Sequence, residues 1–229
     1  MTKTLVLLFH PNLAASTTNA AFAKSARAVE GVSVVDMQAR YPDSAIDMFT
    51  DAEVDAQMLL DADRIVLQFP LQWYATPALL KAWQDAVLTR MYYINAATEG
   101  DLLSGTPIMV AMTAGNIPNA YTPEGQNYYD IDALLTPLKA TAYRCGLPWH
   151  APYVVYNAGK LDPSELSAAA DGYADALRAF IAATAPGHCG HFRSQFRCAT
   201  VTTCLSATLC APATIPFILL TQDRPHDSI

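Results

Sequence analysis

Three segments of this 229-residue chain carry residue types that chemistry would need. The first reads His10-Pro11-Asn12-Leu13-Ala14-Ala15-Ser16-Thr17-Thr18-Asn19, between an apolar run and a helical pattern. It brings three hydroxyls to the start of a helix. The first amides of a helix have no internal acceptors and present a favourable dipole to an anion, and neutral hydroxyls add donors there without adding charge. An ordinary N-cap at Ser16 or Thr18 would need one hydroxyl; three in a row favour a phosphate seat. The segment holds no Gly-x-Gly-x-x-Gly and no Lys-Ser/Thr pair, so neither a Rossmann nor a triphosphate loop is supported. The second segment reads Gln68-Phe69-Pro70-Leu71-Gln72-Trp73-Tyr74-Ala75-Thr76-Pro77. Two adjacent large aromatics between prolines make a stiff wall suited to a planar ring, although the same pair would equally anchor a loop to a core. Backbone around Leu71–Trp73 could hydrogen-bond a heterocycle edge. The third reads Thr113-Ala114-Gly115-Asn116-Ile117-Pro118-Asn119-Ala120-Tyr121. Its small residues permit close backbone approach and Asn116 tolerates unusual angles, as they would in a plain turn.

Each segment must be held by the elements on either side. Thr4–His10, Val32–Asp36, Arg64–Phe69, Ile108–Thr113 and Val154–Tyr156 read as short apolar strands. Between them lie helical patterns at Asn19–Glu30, stopped by Gly31, and at Asp51–Asp61, with Val54, Met58 and Leu59 on one face. Pro77 opens a further helix whose stripe is Leu79, Leu80, Trp83 and Val87. Asp130–Cys145 is helical with a kink or late start at Pro137, and Asp162-Pro163-Ser164-Glu165 caps a last helix to about Thr184. The alternation predicts an α/β fold, a five-stranded parallel sheet with helices on both faces in the doubly wound, flavodoxin-like order. Its ligand belongs beyond the carboxyl ends of the strands, where all three segments fall.

A net charge of -7 excludes general affinity for nucleic acid or for anionic membrane surfaces. The apolar run before Pro11 is too short for a signal peptide, which reads as a cytoplasmic protein. Residues 1–185 read as one domain. Residues 186–229 are rich in Thr, Cys and Pro without periodicity and read as an extension with little fixed structure. Pro212 and Pro216 make its uncharged stretch a poor membrane span. Cys189, Cys198, Cys204 and Cys210 lack any Cys-x-x-Cys pair, so no metal site is expected. His150 and the pairs Asp61/Asp63 and Asp130/Asp132 read as structural or capping groups.

In these three loops and their order the chain resembles the flavodoxin-like NAD(P)H:quinone oxidoreductases. It is most similar to the bacterial branch that includes ancillary proteins of glutathione-regulated potassium efflux systems. The likeness spans about residues 3–183 and is most specific from Phe69 to Trp83, with further matches at His10-Pro11, Tyr41-Pro42-Asp43 and Cys145-Gly146-Leu147. It implies a flavin, FMN or FAD, with its phosphate on Ser16, Thr17, Thr18 and Asn19 and His10 close by. The ring would lie beside Pro70, Leu71, Gln72, Trp73 and Tyr74, its pyrimidine edge near Thr113, Ala114, Gly115 and Asn116. The likeness further implies that Tyr121 stabilises charge on the reduced ring, with Asn127 standing where the family has a histidine. It implies NAD(P)H as co-substrate, ping-pong two-electron reduction of a quinone-like acceptor, and a homodimer. The alternative it carries is a flavin-binding regulatory subunit of a potassium efflux transporter, held at the inner membrane by that partner. Tyr92-Tyr93-Ile94-Asn95 replaces the family's usual aromatic-Ala-Tyr-Gly segment in the acceptor pocket, so acceptor preference does not carry across.

Overall fold

Five short runs rich in apolar residues pair side by side as parallel strands, the central three buried on both faces and the two at the edges only partly buried. The computed structural model describes residues 3–184, and the expected extension at 186–229 lies outside them. In chain order the elements are β1 (Thr4–Leu8), α1 (Thr18–Arg27), β2 (Val32–Asp36), α2 (Met37–Arg40), α3 (Asp51–Leu60), β3 (Arg64–Pro70) and α4 (Ala78–Trp83). There follow α5 (Asp101–Leu103), β4 (Ile108–Thr113), α6 (Ile131–Leu134), α7 (Thr136–Arg144), β5 (Tyr153–Val155) and α8 (Pro163–Ala183). The sheet order is β2-β1-β3-β4-β5, all parallel. The doubly wound flavodoxin-like class is therefore the observed one.

Side chains alternate across the sheet. Leu5, Leu7, Ile65, Leu67, Phe69, Val110 and Met112 face the α3, α4 and α7 side. Val6, Val66, Met109 and Ala111 face α1 and α8, where they meet Phe22, Ala26, Tyr173, Leu177 and Phe180. Ser25 Oγ donates to the Ala170 carbonyl at 2.6 Å and fastens α1 to α8. The expected capping box at Asp162 and Glu165 is formed, with Pro163 in the first turn.

Three local expectations are corrected. The buried face of α3 is Ala52, Asp55, Ala56 and Leu59, while Val54 is 57% exposed. The reason is Asp55, a fully buried carboxylate that accepts from Arg40 Nε (2.8 Å), Tyr41 Oη (2.9 Å) and Trp83 Nε1 (2.8 Å). Burial, with the Asp55 charge acting against the Arg40 bond, pushes the Tyr41 phenol up to about 12. The helix after Pro77 widens into π-helical turns at Gln84–Leu88 and Arg90–Ile94, keeping the expected stripe buried. The last strand is Tyr153–Val155, one residue earlier than expected.

Candidate functional site

Strands β1 and β3 lie side by side, and their onward connections leave for opposite directions, so a crevice opens at their carboxyl ends. The first loop fills one side of it. Asn12 accepts from the Ala15 amide (3.2 Å) and donates its own amide to His10 Nδ1 (3.1 Å). Burial lowers the His10 pKa, with the Asp36 charge pulling it back up. Ser16 Oγ accepts from the Asn19 amide at 3.2 Å, which leaves its proton to donate outward. The amides of Thr17 and Thr18 donate to no protein acceptor among the described residues, and the first turn of α1 holds no acidic side chain. This is an arrangement for an anion. One expected group behaves differently: Thr18 is buried and its hydroxyl donates to the Ala158 carbonyl (2.6 Å), tying α1 to the loop after β5. The available hydroxyls are those of Ser16 and Thr17.

The second loop is a two-residue turn. Gln72 and Ala75 exchange backbone hydrogen bonds of 3.0 Å in each direction, and Trp73 and Tyr74 between them have φ of 46° and 64°. Both central residues are in the left-handed region, as in a type I′ turn, where a bulky residue costs about 1–2 kcal/mol. The turn lifts Trp73 out of the protein, 93% exposed, with Tyr74 at 46%. Among the described residues, the Trp73 and Tyr74 amides meet no backbone acceptor. Leu71 donates to the Thr113 carbonyl (2.8 Å) and joins this loop to the third. Pro70 and Leu71 are half-buried beside it.

In the third loop Thr113 and Ala114 are buried and Gly115 is exposed. A Cβ built on Gly115 meets no atom within 4 Å, so the open side of this backbone is free for a ligand. Asn116 accepts from the Asn157 amide through its carbonyl (2.9 Å) and donates its side-chain amide to Gln126 Oε1 (3.1 Å). Tyr121 is 8% exposed and packs against Tyr156 at 5.6 Å. Burial raises its pKa; a hydrogen bond with the Asn116 backbone lowers it and nearby Tyr74 raises it again. The phenol therefore stays protonated, a donor, through the neutral range. Asn127 Oδ1 accepts from Tyr74 Oη (3.3 Å), and no hydrogen bond joins its side chain to Tyr121. Only its backbone reaches that segment, Asn127 N donating to the Ala120 carbonyl (2.8 Å).

Beneath the loops lies a polar floor that the sequence reading passed over. Asn19 Nδ2 donates to Thr113 Oγ1 (3.0 Å) and Gln68 Nε2 donates to the Asn19 carbonyl (3.0 Å), all three residues being buried. Among the described residues, Asn19 Oδ1 and Gln68 Oε1 have no donor. A buried acceptor left in this state costs about 1–3 kcal/mol. The available signal was Gln68 itself, a single amide in a central strand that is otherwise apolar after Arg64. The anion-facing amides, the free amides beside the aromatic turn and the open flank of Gly115 together fit a flat ring with an anionic tail. A surface concavity of about 570 Å³ lined by Phe49, Thr50, Glu53, Val54 and Gln57 includes none of these residues. Among the described residues no group of His, Cys, Asp or Glu is placed to hold a metal ion, and no helix is long and apolar enough to cross a membrane.

Comparison with known proteins places matches over the same span. A family model described as Flavodoxin-like fold matches residues 2–180. General stress protein 14 of Bacillus subtilis is 37% identical, over 77% of this chain and 97% of that protein. The glutathione-regulated potassium-efflux system ancillary protein KefG of Pectobacterium carotovorum is 36% identical, over 76% and 92%. A solved general stress protein 14 from Treponema denticola, in complex with FMN, superposes with a TM-score of 0.67 at 26% identity, over 80% of this chain and 99% of that one. A solved chain titled as a thermophilic tryptophan halogenase from Streptomycin violaceusniger has the same TM-score at 42% identity, over 74% and 95%. These names divide where the fold does not, so the activity has to be argued from the site.

Proposed function

This chain belongs to the flavodoxin-like fold family, and from that premise we propose that it is a flavin-dependent NAD(P)H:quinone oxidoreductase binding FMN. The observation that carries the reading is the meeting, at one crevice, of anion-facing amides at Thr17 and Thr18, the left-handed Trp73–Tyr74 turn and the open Gly115 backbone. Relatives named as an NAD(P)H oxidoreductase and an NADPH-quinone reductase support the reaction class, and the neighbour solved with FMN supports the cofactor. When bound, the flavin supplies two-electron chemistry, accepting hydride from NAD(P)H and reducing a quinone-like acceptor in ping-pong order.

The protein's part is position and electrostatics. Ser16, Thr17 and the first amides of α1 would hold the phosphate, with His10 and Asn19 beside them. Pro70–Tyr74 and Thr113–Asn116 would hold the ring. The Tyr121 hydroxyl would be a hydrogen-bond donor to its pyrimidine edge. Residues 1–185 suffice for this, with 186–229 an extension, and the protein works as a homodimer. A second reading, a flavin-binding regulatory subunit of a potassium efflux transporter, draws on the KefG relatives and on exposed Phe49 and Val54 beside the 570 Å³ concavity. Purification decides between flavoprotein and not: the protein is expected to be yellow, to release FMN on denaturation and to bleach anaerobically with NADPH or NADH. A colourless protein that takes up neither FMN nor FAD overturns the proposal.

A further inference from the structure

We infer that Gln68 is a positioning residue that clasps the anion-binding loop at both ends, an inference that rests on the flavin-site reading above. The Gln68 carbonyl accepts from the Phe9 amide (2.8 Å), just before the loop begins. Its side chain donates from Nε2 to the Asn19 carbonyl (3.0 Å), just after the loop has entered α1. One residue of the neighbouring strand thus sets the span of residues 10–18 and the height of the helix start above β3. Asn19 is tied a second time, by its own amide to Thr113 Oγ1 (3.0 Å), so the seat for an anion is indexed to β3 and β4 together. Those two strands carry the loops that flank the ring. The distance between phosphate seat and ring wall is therefore set by Gln68, which itself is fully buried.

A role as core filler does not account for this side chain. Val66, two residues earlier on the same face, is apolar, and Gln68 Oε1 has no donor among the described residues. Methionine or leucine would fill the volume without a stranded acceptor. A residue kept for packing alone is replaceable by either, with stability retained or raised.

The test uses the full chain freed of flavin, carrying Gln68→Met and separately Gln68→Leu. Backbone amide exchange, FMN affinity by fluorescence quenching, binding of inorganic phosphate and the urea midpoint are measured. The expected result is faster exchange confined to the amides at the start of α1, an unchanged or higher urea midpoint, and FMN and phosphate each bound about five- to tenfold more weakly. Unchanged affinities overturn the inference. So does exchange that rises equally across β3, β4 and α1, or failure of both variants to fold, since either makes Gln68 a general core residue. If the parent chain binds no FMN, the flavin reading falls by itself. The clasp then stands on local exchange and weaker phosphate binding, and it falls if exchange is unaltered.

Discussion

Gly115→Ala separates the ligand's demands from the protein's. The φ of Gly115 is not in the left-handed region, and the added methyl meets nothing within 4 Å, so the folded chain accepts it without strain. Restricting the unfolded chain then stabilises the flavin-free protein by about 0.4–1 kcal/mol. For a domain of this size that is a rise in Tm of about 1–4 °C. The bound ring, by contrast, lies against this backbone in the proposed site. A methyl inserted between two packed surfaces costs about 1–3 kcal/mol, which weakens FMN by roughly 5- to 150-fold. Scanning calorimetry of the flavin-free protein and quenching titrations with FMN measure the two effects on one sample. A raised Tm with parent affinity means that no ring approaches Gly115. A lowered Tm means that the flank is not open and refutes the steric argument itself.

Four further outcomes are expected. Tyr121→Phe keeps the ring and removes the donor, so stopped-flow oxidation of NADPH slows by about ten- to a hundredfold with FMN affinity nearly unchanged, the lower range for one such donor; an unaltered rate makes Tyr121 a wall. Asp55→Ala strands the buried Tyr41 hydroxyl and Trp83 indole N–H, at about 1–3 kcal/mol each, while the partly exposed Arg40 turns to water; urea unfolding should show a loss of about 2–5 kcal/mol, and a loss under about 1 kcal/mol contradicts the network. His10 takes its proton at lower pH folded than unfolded, because burial lowers its pKa. The unfolded state therefore binds more protons near pH 6.5 and stability falls as pH drops through that value; His10→Gln should flatten the urea midpoint between about pH 7.5 and 5.5, and an identical slope excludes the linkage. A chain ending at residue 185 should keep its flavin content and quinone reduction, and loss of either moves the domain boundary.

The strands were readable because each is a short apolar run bounded by proline, glycine or polar residues, and their order followed from alternation with helices. What hid was direction. Thr18 counts as a hydroxyl in a hydroxyl-rich loop, yet it stands four residues before Phe22 and eight before Ala26, on the buried stripe of α1. That spacing was the available sign that it faces inward. Asp55 concealed the true face of α3, since a carboxylate reads as solvent-facing until Arg40, Tyr41 and Trp83 converge on it from other elements. The aromatic pair was legible as residues but not as a left-handed turn, because nothing in Trp73-Tyr74 announces positive φ. Asn127 was legible only as a position in a loop alignment, which says nothing of side-chain direction; its side chain meets Tyr74.

The position of β1 inside the sheet has a consequence during synthesis. Its residues pair with β2 on one side and with β3 on the other, Thr4 meeting Arg64 sixty positions later. At about 5–20 residues per second the ribosome needs roughly 3–12 s to supply that second partner. Until then β1 lacks its partner on the β3 side, and α8, which covers Val6, has yet to be made. An unpaired apolar edge invites pairing with another nascent chain. A ligand held between the loops after β1 and β3 would offer no protection at this stage, because those strands are not yet neighbours.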